Sequence, residues 1–253
     1  MPVLLVDDSD GITEITLNRP EKRNALNQEL QQAIVTALQR FDADDRARIA
    51  ILTGADPAFC AGMDLSDLAW SDRERNERAE NFAAALRRLG KPVIAAVNGA
   101  AVTGGFELAL GCDFIIASER AFFGDTHLRV GVFPGGGMSV HLAEAIGVRR
   151  ARQLSFTGEM IDASNAERLG IVNEVVPHDS LMPRVREVAA TIAALDQSLL
   201  ADIRASYRRG LNLGLDAALE AESQYSWQRH VGAAAIAANR DDVITRGRGQ
   251  LRP

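Results

Sequence analysis

Two short stretches combine bare backbone with residues suited to chemistry on a carbonyl group. FCAGMDL occupies residues 59–65 and VNGAAVTGGFELAL residues 97–110. In each, an apolar run ends and a glycine-containing segment follows. Gly104 and Gly105 open a short helical pattern, so N–H groups of a first helical turn are free there. Glycine also lacks the Cβ that would keep a ligand from the backbone. Amides from two such segments, converging on one carbonyl oxygen, would form an oxyanion hole. Either segment alone reads equally well as a turn at a strand end.

Glu107 lies in the first turn of that short helix, where a carboxylate complements the helix dipole by roughly 0.3–1 kcal/mol. It is not a capping-box partner of Thr103, because the offset is four and the box needs three. Phe106, Leu108, Ala109 and Leu110 surround it in sequence. Such neighbours are expected to desolvate the carboxylate in part, which favours a raised pKa and suits proton transfer. Further on, FGDTHLRVGVFPGGG (123–137) places His127 between Asp125 and Arg129, ahead of Pro134 and three glycines. Locally His127 reads as a loop histidine or as an acid–base group. Asp125 would share its face in an extended segment, so an exchange of roles between the two is a second reading.

Other chemistries find no support. There is no G-x-G-x-x-G and no G-x-x-x-x-G-K-[ST]. Cys60 and Cys112 lack metal-site spacing and read as reduced thiols, and no metal site is expected. A net charge of −6 argues against a nucleic-acid surface. The opening MPVLLVDDSD has no basic n-region, and its apolar run is too short for a signal peptide. No apolar stretch reaches the ~18 residues of a membrane helix. The expectation is a soluble, cytoplasmic protein.

The elements that must position these residues alternate between strand and helix. VLLVD (3–7) and GITEITL (11–17) read as strands joined by a turn at residues 8–11. Asn27 is a candidate N-cap for a helix with Leu30, Ile34, Leu38 and Phe41 on one face. Strands are expected at 47–55, 91–99, 112–118 and 171–177, and helices at 73–89, 104–111, 137–146, 148–155, 163–168 and 179–195. That order predicts an α/β class. After residue 196 only helical patterns and a charged tail occur, so residues 1–195 read as the core and 196–253 as a helical extension. With 47% hydrophobic residues but only 5% aromatic, the core should be aliphatic. No repeat of fixed period is visible.

Taken in order, NRPEKRNALN, ILTGADPAFCAGMDL, KPVIAAVNGAAVTGGFELALGCDF, FGDTHLRVGVFPGGG and GIVNEVVP resemble the enoyl-CoA hydratase/isomerase (crotonase) superfamily over about residues 3–230. The resemblance implies a ββα-spiral core, a C-terminal helical trimerisation region, and a homotrimer or dimer of trimers. It implies an acyl-CoA thioester as ligand and no separate cofactor, since CoA is part of the substrate. By motif, the oxyanion-hole amides fall on Met63 and Gly104. The positions matching CoA contacts are Lys22, Arg23, Ala25, Ala61, Asp64 and Leu65. The family's hydratases use two glutamates. One matches Glu107, and the position of the other holds His127. The late Phe of the family's tail is also missing, and Arg240, Arg246 and Arg248 stand in a charged tail instead. The leading expectation is hydration of a 2-enoyl-CoA to a 3-hydroxyacyl-CoA. Isomerisation, decarboxylation or hydrolysis of an acyl-CoA, and non-catalytic acyl-CoA binding, stay open at this point because of His127.

Overall fold

The structure, a computed structural model, describes residues 1–66 and 81–229, with Arg240 and Ile244 beyond them. Contacts divide the chain into a unit Met1–Ala201 and a second unit Asp202–Pro253. The first unit opens with a hairpin, β1 (Leu4–Ser9) and β2 (Ile12–Leu17). Asp10 and Gly11 both have positive φ, 52° and 79°. That is the left-handed pair whose twist suits a two-residue hairpin turn. Helix α1 (Gln28–Ala43) follows, and its N-cap Asn27 accepts from Leu30 N at 2.9 Å, as expected.

Three consecutive ββα units come next. In the first, β3 (Ile49–Gly54) leads to the short β4 (Ala58–Cys60), with α2 (Phe82–Arg88) beyond. In the second, β5 (Val93–Val97), β6 (Ala100–Val102) and α3 (Gly104–Leu110) are almost contiguous. In the third, β7 (Phe114–Ser118) leads to β8 (Phe122–Gly124) and one helical turn, α4 (His127–Val130). Two helices, α5 (Met138–Ile146) and α6 (Val148–Thr157), precede β9 (Met160–Asp162), α7 (Ala163–Leu169), β10 (Glu174–Val176) and α8 (Leu181–Ala193). The sequence did not announce β4, β6, β8, β9 or α4, which are three or four residues long. Residues 73–80 of the expected 73–89 helix lie outside the described residues.

The long strands form a six-stranded sheet in the order β1-β2-β3-β5-β7-β10, parallel except for the hairpin. Its central strands β3, β5 and most of β7 are buried on both faces, which is why they read as continuous apolar runs, while β1 at the edge is exposed. Ile49, Ile51, Ile94 and Ile116 face Leu181, Val185 and Ala189 of α8. Ala50, Leu52, Ala95 and Val97 point the other way, into the main core with Leu30, Ile34 and Leu38 of α1. Short strands form a second sheet, β4-β6-β8-β9, in which β4, β6 and β8 are parallel neighbours. Their C-terminal ends therefore lie side by side, and each ββα unit delivers its following loop to the same place.

In the second unit, α9 (Gln197–Gly210) contributes its residues from Asp202 onward, followed by α10 (Leu215–Gln228). Asp202 accepts from the Tyr225 hydroxyl and pairs with Arg229, and the Arg209 guanidinium lies 5.1 Å from the Tyr225 ring centre. Arg240 is described as helical, whereas Arg246 and Arg248 lie outside the described residues. No helix among the described residues is long and apolar enough to cross a membrane.

The packing between the first two ββα units is backbone on backbone. A Cβ at Gly105 would stand 2.1 Å from the Cys60 carbonyl oxygen. Gly105→Ala should therefore force the units apart and lower stability by roughly 1–3 kcal/mol, the usual cost of overpacking. At Gly135 a Cβ would meet nothing within 4 Å, so Gly135→Ala should stay within about 0.5 kcal/mol of the parent. Urea midpoints of the two variants check the contrast.

Candidate active site

The loop after β4 meets the segment before α1 through one parallel bridge, Leu26 to Met63. Leu26 makes both bonds of it: its N–H donates to Gly62 O at 2.7 Å, and its O accepts from Asp64 N at 3.0 Å. In this pattern the opposed residue turns its own N–H to the other side. Met63 N–H is thus directed away from Leu26. Gly104 is the first residue of α3, so its N–H has no intrahelical acceptor. Among the described residues neither amide meets a backbone acceptor. The two loops touch. A Cβ at Gly62 would fall 2.0 Å from Thr103 Oγ1, and one at Gly104 would lie 3.8 Å from Met63 Cγ and Sδ. The expected oxyanion pair is therefore brought together by the fold.

Thr103, just before Gly104, has φ 46° and ψ −116°. A β-branched residue at positive φ is strained, by about 1–3 kcal/mol. Its backbone is held at both ends: Thr103 N–H donates to Gly124 O and its carbonyl accepts from Glu107 N, each at 2.9 Å. The conformation turns the chain from β6 directly into α3, and it sets the direction of Gly104 N–H.

The loop carrying Met63 is braced by residues that the sequence did not single out. Arg19 Nη2 donates to Asp64 Oδ2 at 2.9 Å, and Nη1 donates to Ala25 O. Hydrogen bonds from Ser66 and then Arg19 hold the Asp64 carboxyl down at about 2. Asp64 is therefore engaged within the loop, as a brace. Asn24 is fully buried at φ 56° and bonds Ala55 O, Ala58 O and Arg19 N. Ala61 N–H donates to Arg23 O at 3.0 Å. Segments 22–26 and 61–65 thus run side by side, with Ala25 buried and Lys22, Arg23 and Leu65 exposed. Arg19 and Asp64 are 45 positions apart in sequence, and no local pattern links them.

Glu107 is 4% exposed, as its apolar neighbours foretold. Its Oε1 accepts from Gly136 N at 2.7 Å and Met138 N at 3.2 Å. Gly136 is required for that approach, because a Cβ there would lie 2.8 Å from the carboxylate. Oε2 faces His127 Nε2 at 3.6 Å, an ion-pair distance longer than a hydrogen bond. His127 is also buried, and its other nitrogen, Nδ1, is 2.6 Å from Asp125 Oδ1.

The extended geometry considered for residues 125–127 is not found. His127 opens α4, and its backbone N–H also donates to Asp125 Oδ1, at 3.2 Å. Asp125 therefore stands behind His127 and does not replace it as the group facing Glu107. Burial opposes a charge on the imidazole. The hydrogen bond to Asp125, and then the contact and charge of Glu107, outweigh it and raise the His127 pKa to about 9. Burial likewise opposes the Asp125 charge, but hydrogen bonds from His127 and Ser155 hold its pKa below the usual value. Asp125, His127 and Glu107 thus stand in a row, and the raised pKa of the middle member favours its imidazolium form. One end of the row lies in α3, next to the free N–H of Gly104.

A family model described as Enoyl-CoA hydratase/isomerase matches residues 7–231. The chain is 34% identical over 248 residues to a probable peroxisomal enoyl-CoA hydratase 1 of Arabidopsis thaliana, covering 97% of this chain and 93% of that one. A solved enoyl-CoA hydratase from Mycobacterium tuberculosis H37Rv superposes with a TM-score of 0.76 at 45% identity, covering 89% of this chain and 98% of the other. For an enoyl-CoA hydratase structure from Geobacillus kaustophilus the TM-score is 0.84 at 32% identity, with 99% and 96% covered. The chain belongs to the enoyl-CoA hydratase/isomerase family.

Proposed function

We propose that this chain is an enoyl-CoA hydratase, adding water to a 2-enoyl-CoA to give a 3-hydroxyacyl-CoA. The observation that carries the reading is the approach of two buried acid–base groups, Glu107 Oε2 to His127 Nε2 at 3.6 Å. Hydration needs one group to accept a proton and another to give one. Glu107 takes a proton from water as its oxygen bonds the β-carbon, and the double-bond electrons move onto the thioester oxygen. The N–H groups of Met63 and Gly104 hold that enolate oxygen, a pair in which each donor is worth about 2.7–4 kcal/mol. His127 then gives its Nε2 proton to the α-carbon. The site is left with a protonated Glu107 and a neutral His127, and passing one proton between them restores the starting state.

The rest of the reading follows the same segments. Lys22 and Arg23 are exposed cations suited to CoA phosphates. Ala61 and Leu65 offer the adjoining loop surface to the CoA, and the buried Ala25 and Asp64 support that loop from beneath. No cofactor is needed beyond the CoA of the substrate. A homotrimer or dimer of trimers, assembled through the C-terminal helices, and a cytoplasmic location complete the proposal. Names of relatives as enoyl-CoA hydratases support the reaction class.

Two measurements test it. Incubation with crotonyl-CoA and a longer 2-enoyl-CoA should yield a product heavier by one water, and Glu107→Gln should lower turnover by about 10²–10⁴-fold with CoA affinity little changed. Binding without any gain of water would remove the hydratase reading. The pH profile is the second. A proton donor is competent only while charged, so kcat/KM should fall as pH rises through about 9, the raised His127 value. Stability follows the same sign. A histidine whose folded pKa is raised contributes fully below its unfolded value of about 6.5 and loses that contribution as pH climbs to about 9. Denaturation midpoints should therefore drop across that window in the parent and less in His127→Gln.

A further inference from the structure

His127 is held from behind as well as from the front, and the residues behind it belong to no part of the reaction. Asp125 is 3% exposed and follows Gly124, whose carbonyl accepts from Thr103 N–H. The Asp125 backbone is thereby joined to the strand-to-helix turn that presents Gly104. Its Oδ1 accepts from His127 twice, from the ring Nδ1 and from the main-chain N–H. Ser155, in the last full turn of α6, lies against Asp125 and favours its charged form. The same turn is tied to α4 through Arg129, whose guanidinium donates to Thr157 O and covers Gly158.

We propose that Asp125 is a positioning residue that fixes the proton on His127 Nδ1 and aims Nε2–H at the site Glu107 shares. The inference rests on the hydration reading for its catalytic consequence but not for its geometry. A carboxylate can only accept, so a 2.6 Å contact with Nδ1 requires the proton to sit on that nitrogen. With Nδ1 committed, every change of protonation occurs at Nε2, the nitrogen that faces Glu107. Charged groups reach the ring from two sides: Asp125 from its own segment and Glu107 from α3. Arg129, the nearest cation on α4, is turned to the α6 terminus instead.

The balance of negative charge also depends on Asp125. With Glu107 alone, the imidazole faces one carboxylate that is already committed to Gly136 N and Met138 N through its other oxygen. Asp125 adds a second, closer carboxylate. It thereby keeps a histidine charged at a position where an unassisted one would lose its proton near neutral pH.

The test replaces charge while keeping an acceptor. In Asp125→Asn the amide oxygen can still accept from Nδ1, but the carboxylate charge is gone. Imidazole signals of His127 should be followed by NMR against pH in the apo-protein, assigned by their absence in His127→Gln. The expected result is a downward shift of the His127 titration by at least one pH unit. Turnover near pH 8 should fall by about 10–100-fold, KM for the enoyl-CoA by less than about threefold in either direction, and the alkaline limb of kcat/KM should move with the NMR titration. Ser155→Ala should shift the titration in the same direction by less, and it guards against an Asp125 variant that fails to fold. An unmoved His127 titration in either folded variant overturns the inference. That readout needs no substrate, so it separates this inference from the hydration reading, which stands or falls on water addition by the parent.

Discussion

Contact of bare backbone with bare backbone, at the ends of β4 and β6, is the constraint on which the rest of the site depends. Gly62 leaves no room for a Cβ against Thr103, and Gly105 leaves none against the Cys60 carbonyl. Only at that separation do the segments carrying Met63 and Gly104 come into contact, since an added Cβ would hold the strand ends apart. The strain at Thr103 is a consequence of the same closeness. A residue with an ordinary β or helical φ would carry the chain past the turn, and Gly104 would not open α3 where it does. The parallel neighbours on either side, together with the bonds to Gly124 and Glu107, hold the strained residue in place. Strain is retained because several elements fix it at once.

The second constraint is electrostatic. Burying two carboxylates and one imidazolium is costly unless each is paired and hydrogen-bonded. The row meets that condition by hydrogen bonds to one oxygen of each carboxylate and by an ion-pair contact at Glu107 Oε2. Glu107 Oε1 has two main-chain donors, Asp125 Oδ1 has the ring and a main-chain N–H, and both ring nitrogens face a carboxylate oxygen. The donors from Gly136 and Met138 lie at the Glu107 end of the row. Glycine at 136 thus serves the charge directly, by letting a main-chain N–H approach where any side chain would collide with Glu107.

Much of this was legible in the sequence, for reasons that can be stated residue by residue. The long strands and α1 announce themselves because burial on both faces, or on one face at helical spacing, leaves a pattern over many residues. The helix start at Gly104 and the burial of Glu107 were legible because bare backbone and a charge occur within one apolar segment. The short strands β4, β6 and β8 were not, because three residues are too few to show a period. The three ββα units start at Ile49, Val93 and Phe114. That uneven spacing is why a structural repeat left no repeat of fixed length. Arg19 and Asp64 form a brace across two distant segments, and such pairs have no local signature. His127 was placed by its resemblance to a family position. The second reading, in which Asp125 exchanges roles with it, required an extended backbone that residues 125–127 do not adopt. A helical start with an aspartate two residues earlier lets that aspartate bond both the main-chain N–H and the ring.

That local geometry also bears on why a histidine can stand where the family's hydratases carry a second glutamate. A glutamate at 127 would put three carboxyl groups in one buried row, with Asp125 on one side and Glu107 on the other. Like charges so close cannot all ionise, and at least one would have to remain protonated. Imidazolium reverses the sign at the middle position, so each neighbour stabilises the proton it carries. Histidine at 127 and aspartate at 125 are in this sense a single device. Beside Asp125 the ring retains a proton that a lone histidine would lose, and the aspartate finds in the ring the partner that its burial demands.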